Sequence, residues 1–280
     1  MNYRHGYHAG SFSDVFKHII LISLIQAFKR KEKPFCYFET HAGSGCYDLT
    51  SKMAHQTAEY KTGVQKIIDS KMDKTLYPAI SLYCELVQNE GYPIQYPGSP
   101  MIAETISRSI DRLVLCEWHP EEYLFLKHLF KGNKRVACHE RDGYEALKAL
   151  LPPVEKRGLI LIDPSFEQKT EWEDILIALS AGLKKFPTGI YAIWYPIKDL
   201  KAVKSFIFSL RKLKESLNLS EALRIEMTVY PEDADFKMMG TGMIVLNPPW
   251  QFEAEFEKCL PVLWEMLSVN RAGSFSIEHL

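Results

Sequence analysis

Short runs of β-branched and aromatic residues alternate along the chain with stretches whose apolar positions recur every three to four residues. The runs fall at 35–40, 113–117, 135–139, 159–163 and 190–195. Near-continuous apolar strands separated by helices predict a parallel sheet covered on both faces, an α/β fold. Two further runs, 224–229 and 243–246, flank a glycine-containing turn and predict a closing hairpin. Ser11 or Ser13 can cap a first helix that runs to about Lys31, before Pro34. Pro120 suits the first turn of another helix. Trp172, Ile175, Leu176, Leu179, Leu183 and Phe186 mark one helical face, and Pro261 is expected to kink or split the last helix.

One interval breaks the rhythm. More than 70 residues separate the first two strands, where a crossover needs a few tens. Within it Tyr60, Val64, Ile67, Ile68, Ile80, Tyr83, Leu86 and Val87 keep helical spacing. The expectation is a small helical subdomain at 50–95, inserted into a core made of 1–49 and 96–280.

Composition narrows the classes. Of 280 residues, 46% are hydrophobic and 25% charged, which suits a globular chain with a full core and excludes disorder, collagen and coiled coil. With 34 Lys and Arg against 35 Asp and Glu, the net charge is −1. That excludes a polybasic coat, so any nucleic acid must be met at a local patch. The six cysteines form no C-x-x-C pair, which excludes a zinc ribbon or redox motif; reduced thiols in a cytoplasmic protein are expected. The most apolar stretch, 12–28, contains Asp14, Lys17, His18 and Gln26 and reads as a buried helix, not a membrane span. The first ten residues lack a signal-peptide pattern.

In open parallel sheets ligands gather at the carboxyl ends of the strands. The first strand leads into Thr40-His41-Ala42-Gly43-Ser44-Gly45, a turn that lets backbone approach a ligand, although any sharp strand-to-helix turn also favours glycine. The second ends at Glu117, suited to a pair of ribose hydroxyls or simply a surface carboxylate. The third leads to Asp142-Gly143, suited to a base edge or a tight turn. The fourth ends in Asp163-Pro164-Ser165-Phe166, where a carboxylate and a proline carbonyl can accept two hydrogen bonds from an amino group and an aromatic ring can stack on its base. In this order the four features describe a class I S-adenosylmethionine-dependent methyltransferase with a Rossmann-like fold, acting on an amino group. Asn247-Pro248-Pro249-Trp250 matches the letters of that last motif better. It follows the seventh strand, however, where it reads as a strand end before the last helix.

Further segments carry a family signature: Tyr3-Arg4-His5, His8-Ala9-Gly10, Asp14-Val15 with Lys17-His18, Thr40-His41-Ala42-Gly43, Tyr96-Pro97-Gly98-Ser99-Pro100, 157–163 and Gly242-Met243-Ile244-Val245. On these the chain resembles, over nearly its whole length, the bacterial RlmJ family of 23S ribosomal RNA adenine-N6 methyltransferases. An older family label speaks of catabolism of external DNA. The resemblance implies S-adenosyl-L-methionine as cofactor, held by His18, His41, Ser99, Glu117, Asp142, Gly143 and Asp163, with Gly43 and Gly45 in the turn beside it. It implies Asp163 at the catalytic position and Tyr3 near the substrate RNA; the chemistry of the residues themselves adds Pro164 and Phe166 to the catalytic loop, with Phe166 stacking on the target base and Arg4 as a basic contact to the RNA. The family pattern Asp-Pro-Pro-Tyr is Asp-Pro-Ser-Phe here, so a stiffening ring and a hydroxyl are missing.

A monomer with 23S ribosomal RNA as partner, without metal or membrane, is the expectation; His5, His8 and His18 match no metal-ligand spacing. Basic candidates for RNA contact are Arg4, Lys29-Arg30-Lys31, Lys61, Lys66, Lys198, Lys201 and Lys204. The competing readings are a DNA adenine-N6 methyltransferase and a non-catalytic nucleic-acid-binding protein serving the use of external DNA.

Overall fold

The computed structural model describes residues 4–231 and 238–280. In chain order the elements are α1 (Phe12–Lys29), β1 (Cys36–Glu39), β2 (Cys46–Asp48), α2 (Lys52–Thr57), α3 (Val64–Asp69), α4 (Pro78–Asn89), β3 (Gln95–Pro97), α5 (Ser99–Ile106), β4 (Arg112–Glu117) and α6 (Pro120–Leu129). They continue with β5 (Val136–Glu140), α7 (Gly143–Leu150), β6 (Gly158–Ile162), α8 (Glu171–Lys185), β7 (Ile190–Ile197), α9 (Leu200–Ser216), β8 (Ala222–Thr228), β9 (Gly240–Leu246), α10 (Phe252–Leu267) and β10 (Phe275–His279).

The main sheet has the order β10-β8-β9-β7-β6-β1-β4-β5. The stretch from β7 to β5 is parallel. The pairs β7–β9, β9–β8 and β8–β10 are antiparallel. This is the Rossmann-like arrangement of class I S-adenosylmethionine-dependent methyltransferases. Alternate strand residues feed two cores, as the two-residue period of a strand requires. Tyr37, Leu113, Leu159 and Leu161 join the core beneath α1, α4, α5 and α10. Cys36, Phe38, Val114, Ile160 and Ile162 face α7, α8 and α9.

Helix α1 is buried on nearly every side, because it is packed by α4, α5 and α10; a helix apolar all round belongs in such a place. Ser11 is its cap, accepting from Asp14 N at 3.3 Å. Between β1 and β4 the chain makes the excursion that the spacing predicts. β2 and β3 pair with each other as an antiparallel ribbon, and α2, α3 and α4 lie between them. Val64, Ile67, Ile80, Tyr83 and Val87 enter the same apolar core as α1.

Two expectations change. Helix α10 runs unbroken through Pro261, so the proline does not split it. Its neighbours Leu260, Val262 and Leu263 are buried, and their packing outweighs one lost hydrogen bond. The edge strand β10 and the β2–β3 ribbon are absent from the sequence reading, because none of these strands holds three consecutive apolar residues, as the short strands β1, β5 and β6 do. The 247–250 segment has the place assigned to it from sequence, with a geometric reason. β9 is antiparallel to β7 and Leu246 lies opposite Tyr191 at the start of β7. Asn247 therefore sits at the amino edge of the parallel strands, its amide donating to the carbonyls of Pro187 and Gly189. No helix is long and apolar enough to cross a membrane among the described residues.

Candidate active site

The carboxyl ends of β4, β1, β6 and β7, roofed by the first turns of α1, enclose a cavity of about 540 Å³. Neighbouring strands are about 4.8 Å apart. Glu117 on β4 and Asp163 after β6 are thus two strand steps apart, on the order of 10 Å, and both line the cavity.

At the β1 end, the fully buried Glu39 accepts from Tyr37 Oη at 2.8 Å and from Ser99 Oγ. Burial pushes its carboxyl up to about 8. The following turn closes onto β4: Ala42 N donates to Cys116 O, and Gly43 N donates to Glu117 Oε2 at 2.7 Å. The other carboxylate oxygen of Glu117 accepts from His119 N at 2.7 Å, so the group is oriented from both sides. Gly43 has φ +58°, and a Cβ there would stand 2.3 Å from Tyr47 Oη; only glycine suits this wall of the cavity. His41 Nδ1 and Thr40 Oγ1 are 2.8 Å apart, and burial pushes His41 down to about 4. His18 Nδ1 and Tyr96 Oη are 2.9 Å apart, and burial pushes His18 down to about 3. Both rings are neutral and line the cavity.

At the β6 end, Asp163 Oδ2 accepts from Lys17 Nζ at 2.5 Å. Lys17 also meets Asp14 Oδ1 at 3.0 Å, and Asp14 Oδ2 meets His5 Nε2 at 2.8 Å and Gly10 N at 3.0 Å. Lys17 is 5% and Asp14 1% exposed. Burial by itself would lower the lysine, and Asp14 and Asp163 reverse that and hold it as ammonium. Burial likewise opposes the ionised Asp14, and His5 and Lys17 overcome it.

The structure brings His18, His41, Gly43, Ser99, Glu117, Asp163 and Pro164 to one cavity, with the basic candidate Lys198 on the same wall, and leaves Asp142, Gly143, Gly45, Arg4 and Phe166 off it. Asp142 Oδ1 caps α7, accepting from Tyr144 N and Glu145 N. Gly143 lets α7 press on the β1 turn, since a Cβ would stand 2.1 Å from Thr40 O. Gly45 passes its carbonyl to Gly98 N, facing Leu126 and Leu129. Arg4 pairs with Glu121, and Tyr3 lies outside the described residues. Phe166, expected to offer a free stacking face, has φ +52° and lies against Trp172 at 4.6 Å and Trp194 at 5.8 Å. Trp194 also lines the cavity; Ile193 pairs with Ile162 in the sheet, so Trp194 follows at the register position of Asp163, and its indole N–H is anchored to Thr241 Oγ1 at 2.8 Å.

Sequence reasoning missed Asp14, Lys17, His5 and Trp194 as site residues. A visible signal existed for two of them: Asp14 and Lys17 stand one turn apart in a helix otherwise fit for complete burial, and buried charges need partners. The residues fit S-adenosylmethionine by the chemistry of the set. A carboxylate suits the ribose, and the backbone around Ala42-Gly43 and Gly98-Ser99 suits the amino-acid part. Among the described residues no group of three or more His, Cys, Asp or Glu could hold a metal ion.

The family model described as "RsmJ: Ribosomal RNA large subunit methyltransferase D, RlmJ" matches residues 32–280. A relative from Escherichia coli called Ribosomal RNA large subunit methyltransferase J is 40% identical over 100% of this chain and 99% of its own. One of the same name from Haemophilus influenzae is 38% identical over 100% and 99%. A crystal structure of a Legionella pneumophila protein superposes with a TM-score of 0.86 at 37% identity, covering 97% of this chain and 98% of that one. With the family model and both full-length relatives in agreement, this chain belongs to the RlmJ family of ribosomal RNA large subunit methyltransferases.

Proposed function

We propose that this protein methylates N6 of an adenine in 23S ribosomal RNA, as a cytoplasmic monomer using S-adenosylmethionine. The observation that carries the reading is the shared cavity. Glu117 and the Gly43 turn stand at one end, and the Asp163-Pro164 carboxylate and carbonyl stand at the other. Bound S-adenosylmethionine supplies an electrophilic methyl group. Glu117 would hold its ribose, with His18, His41, Gly43 and Ser99 around the remainder. Asp142, Gly143 and Gly45 fix the turns that shape this end. The excursion at 50–95 is read as an insertion into the methyltransferase core, closing over α1.

N6 of a paired adenine lies inside the helix, so the base must be unstacked to enter. Lys17 occupies Oδ2 of Asp163, which leaves Oδ1 to accept from the amino group. The Pro164 carbonyl accepts the second hydrogen. Together they aim the nitrogen lone pair, and the Asp163 carboxylate can take the proton released after transfer. Trp194 walls the acceptor end, with Phe166 behind it as support. The rate gain comes from positioning in a site shielded from water.

The test is transfer of labelled methyl onto unmodified large-subunit RNA and onto DNA, with the product base identified. N6-methyladenosine in RNA is expected from the wild type. Asp163→Ala should keep cofactor affinity within a few-fold and transfer nothing. Turnover like the wild type in that variant, or label confined to DNA, overturns the reading.

A further inference from the structure

Substrate RNA has to be held outside the cavity as well as in it, and the structure sorts the basic residues available. Arg4 pairs with Glu121. Arg30 is spent on Glu255 and on the Trp250 carbonyl. Lys66 Nζ caps the end of α10, donating to Leu267 O at 2.9 Å and Ser268 O at 3.3 Å. Lys29, Arg30 and Lys31 lie before β1 begins, at the edge of the sheet away from the cavity.

Helix α9 is different. It carries five Lys and Arg against one Glu, in a chain whose net charge is −1. Lys201, Lys204, Phe208, Arg211 and Lys212 are all exposed. At about 100° per residue they fall within one sector about 100° wide. The opposite face, Val203, Phe206, Ile207 and Leu210, is buried against the sheet. None of the four cations is in an ion pair among the described residues. Phe208 is 59% exposed in the middle of the stripe, with Lys212 Nζ 4.3 Å from its ring centroid. The helix follows β7, so its first turn stands at the cavity rim, next to the cavity-lining Lys198, and its axis leads down the flank of the sheet. Lys201 to Lys212 spans about 16 Å at ~1.5 Å per residue. That matches about five stacked nucleotides at ~3.4 Å each.

We infer that the outer face of α9 is the track that holds the RNA strand flanking the target base, with Lys201 and Lys204 on phosphates near the cavity, Arg211 and Lys212 on phosphates about three nucleotides further along, and Phe208 against an unpaired base or ribose between them. An unpaired row of cations beginning at the mouth of an active site is complementary to a strand that must enter it. The inference rests on the reading of the substrate as ribosomal RNA.

Binding of unmodified 23S RNA transcript is measured across a salt series for the wild type, for the triple variant Lys201→Gln/Lys204→Gln/Arg211→Gln, for Phe208→Ala, and for Lys134→Gln at the opposite edge of the sheet. Cofactor titration and thermal unfolding verify that each variant is folded. The triple variant is expected to lose about two units of slope in log K against log salt, since each phosphate contact contributes roughly 0.7–0.9. Its KM for RNA should rise at least ten-fold with kcat near that of the wild type. Phe208→Ala should weaken binding roughly ten-fold at unchanged slope. Lys134→Gln should bind as the wild type does. A triple variant with the wild-type slope and affinity, or a Lys134→Gln variant equally impaired, overturns the inference. If the wild type shows this slope and binding yet transfers no methyl to RNA, the track stands and the assigned reaction fails.

Discussion

Lys17 is the residue on which the acceptor end of the cavity depends, because it alone neutralises both Asp14 and Asp163 from within a buried helix. Breaking a buried ion pair by removing one partner leaves an uncompensated charge in a medium that cannot solvate it, which costs about 3–5 kcal/mol. Lys17→Met is therefore expected to lose stability of that order in urea unfolding and to transfer methyl far more slowly. A variant as stable as the wild type would show that Asp14 is fully satisfied by His5 and Gly10. His18 gives a pH dependence of definite sign. Its folded-state value is near 3, against 6.5 for the free side chain. Above 6.5 neither state binds the proton. As pH falls from 6.5 towards 3 the unfolded chain takes up a proton that the folded one refuses, so stability drops across that window. His18→Asn should flatten this part of the stability profile, and an unchanged slope would assign the effect to other groups.

Among the elements, the coupling of α3 to α1 decides whether the excursion from the sheet can serve the site. Val64 N donates to Gly10 O at 2.8 Å, and a Cβ on Gly63 would stand 2.1 Å from Gly10 O and 2.6 Å from Phe12 N. The backbone of the excursion is thus seated on the segment that launches the helix carrying Asp14, Lys17 and His18. Gly63→Ala is expected to force these backbones apart, at about 1–3 kcal/mol, as overpacking generally does. A lowered melting temperature and slower transfer would follow; an unshifted melting temperature would mean that the contact yields freely. This latch is illegible in the sequence, because a glycine needed for close approach of backbone is spelled like one needed for a turn. The helices of the excursion were legible, since Val64, Ile67, Ile80 and Tyr83 keep the helical period. So were the strands of the parallel sheet, whose apolar runs stand at the observed positions within a residue or two.

At the scale of the whole molecule, the helices of 50–95 share the apolar core of α1 and are not closed around a core of their own. One cooperative unfolding transition is expected in calorimetry, with calorimetric and van't Hoff enthalpies equal; a separate low-temperature transition would show that the excursion melts alone. The sequence by itself determined the alternation of strands and helices, the strand ends at which Glu117 and Asp163 stand, the family, and the rejection of 247–250 as the catalytic loop. These are local or ordered along the chain: hydrophobic period, punctuation by Gly and Pro, and motif order. Tertiary structure alone decided what those residues meet. It placed Lys17 against Asp163 across 146 positions and set Asp142 to capping a helix. It also turned Phe166 onto Trp172 and Trp194, brought Trp194 to the cavity, and left one face of α9 without ion-pair partners among the described residues. Such outcomes follow from side chains competing for partners in three dimensions, and a linear pattern carries no record of which partner wins.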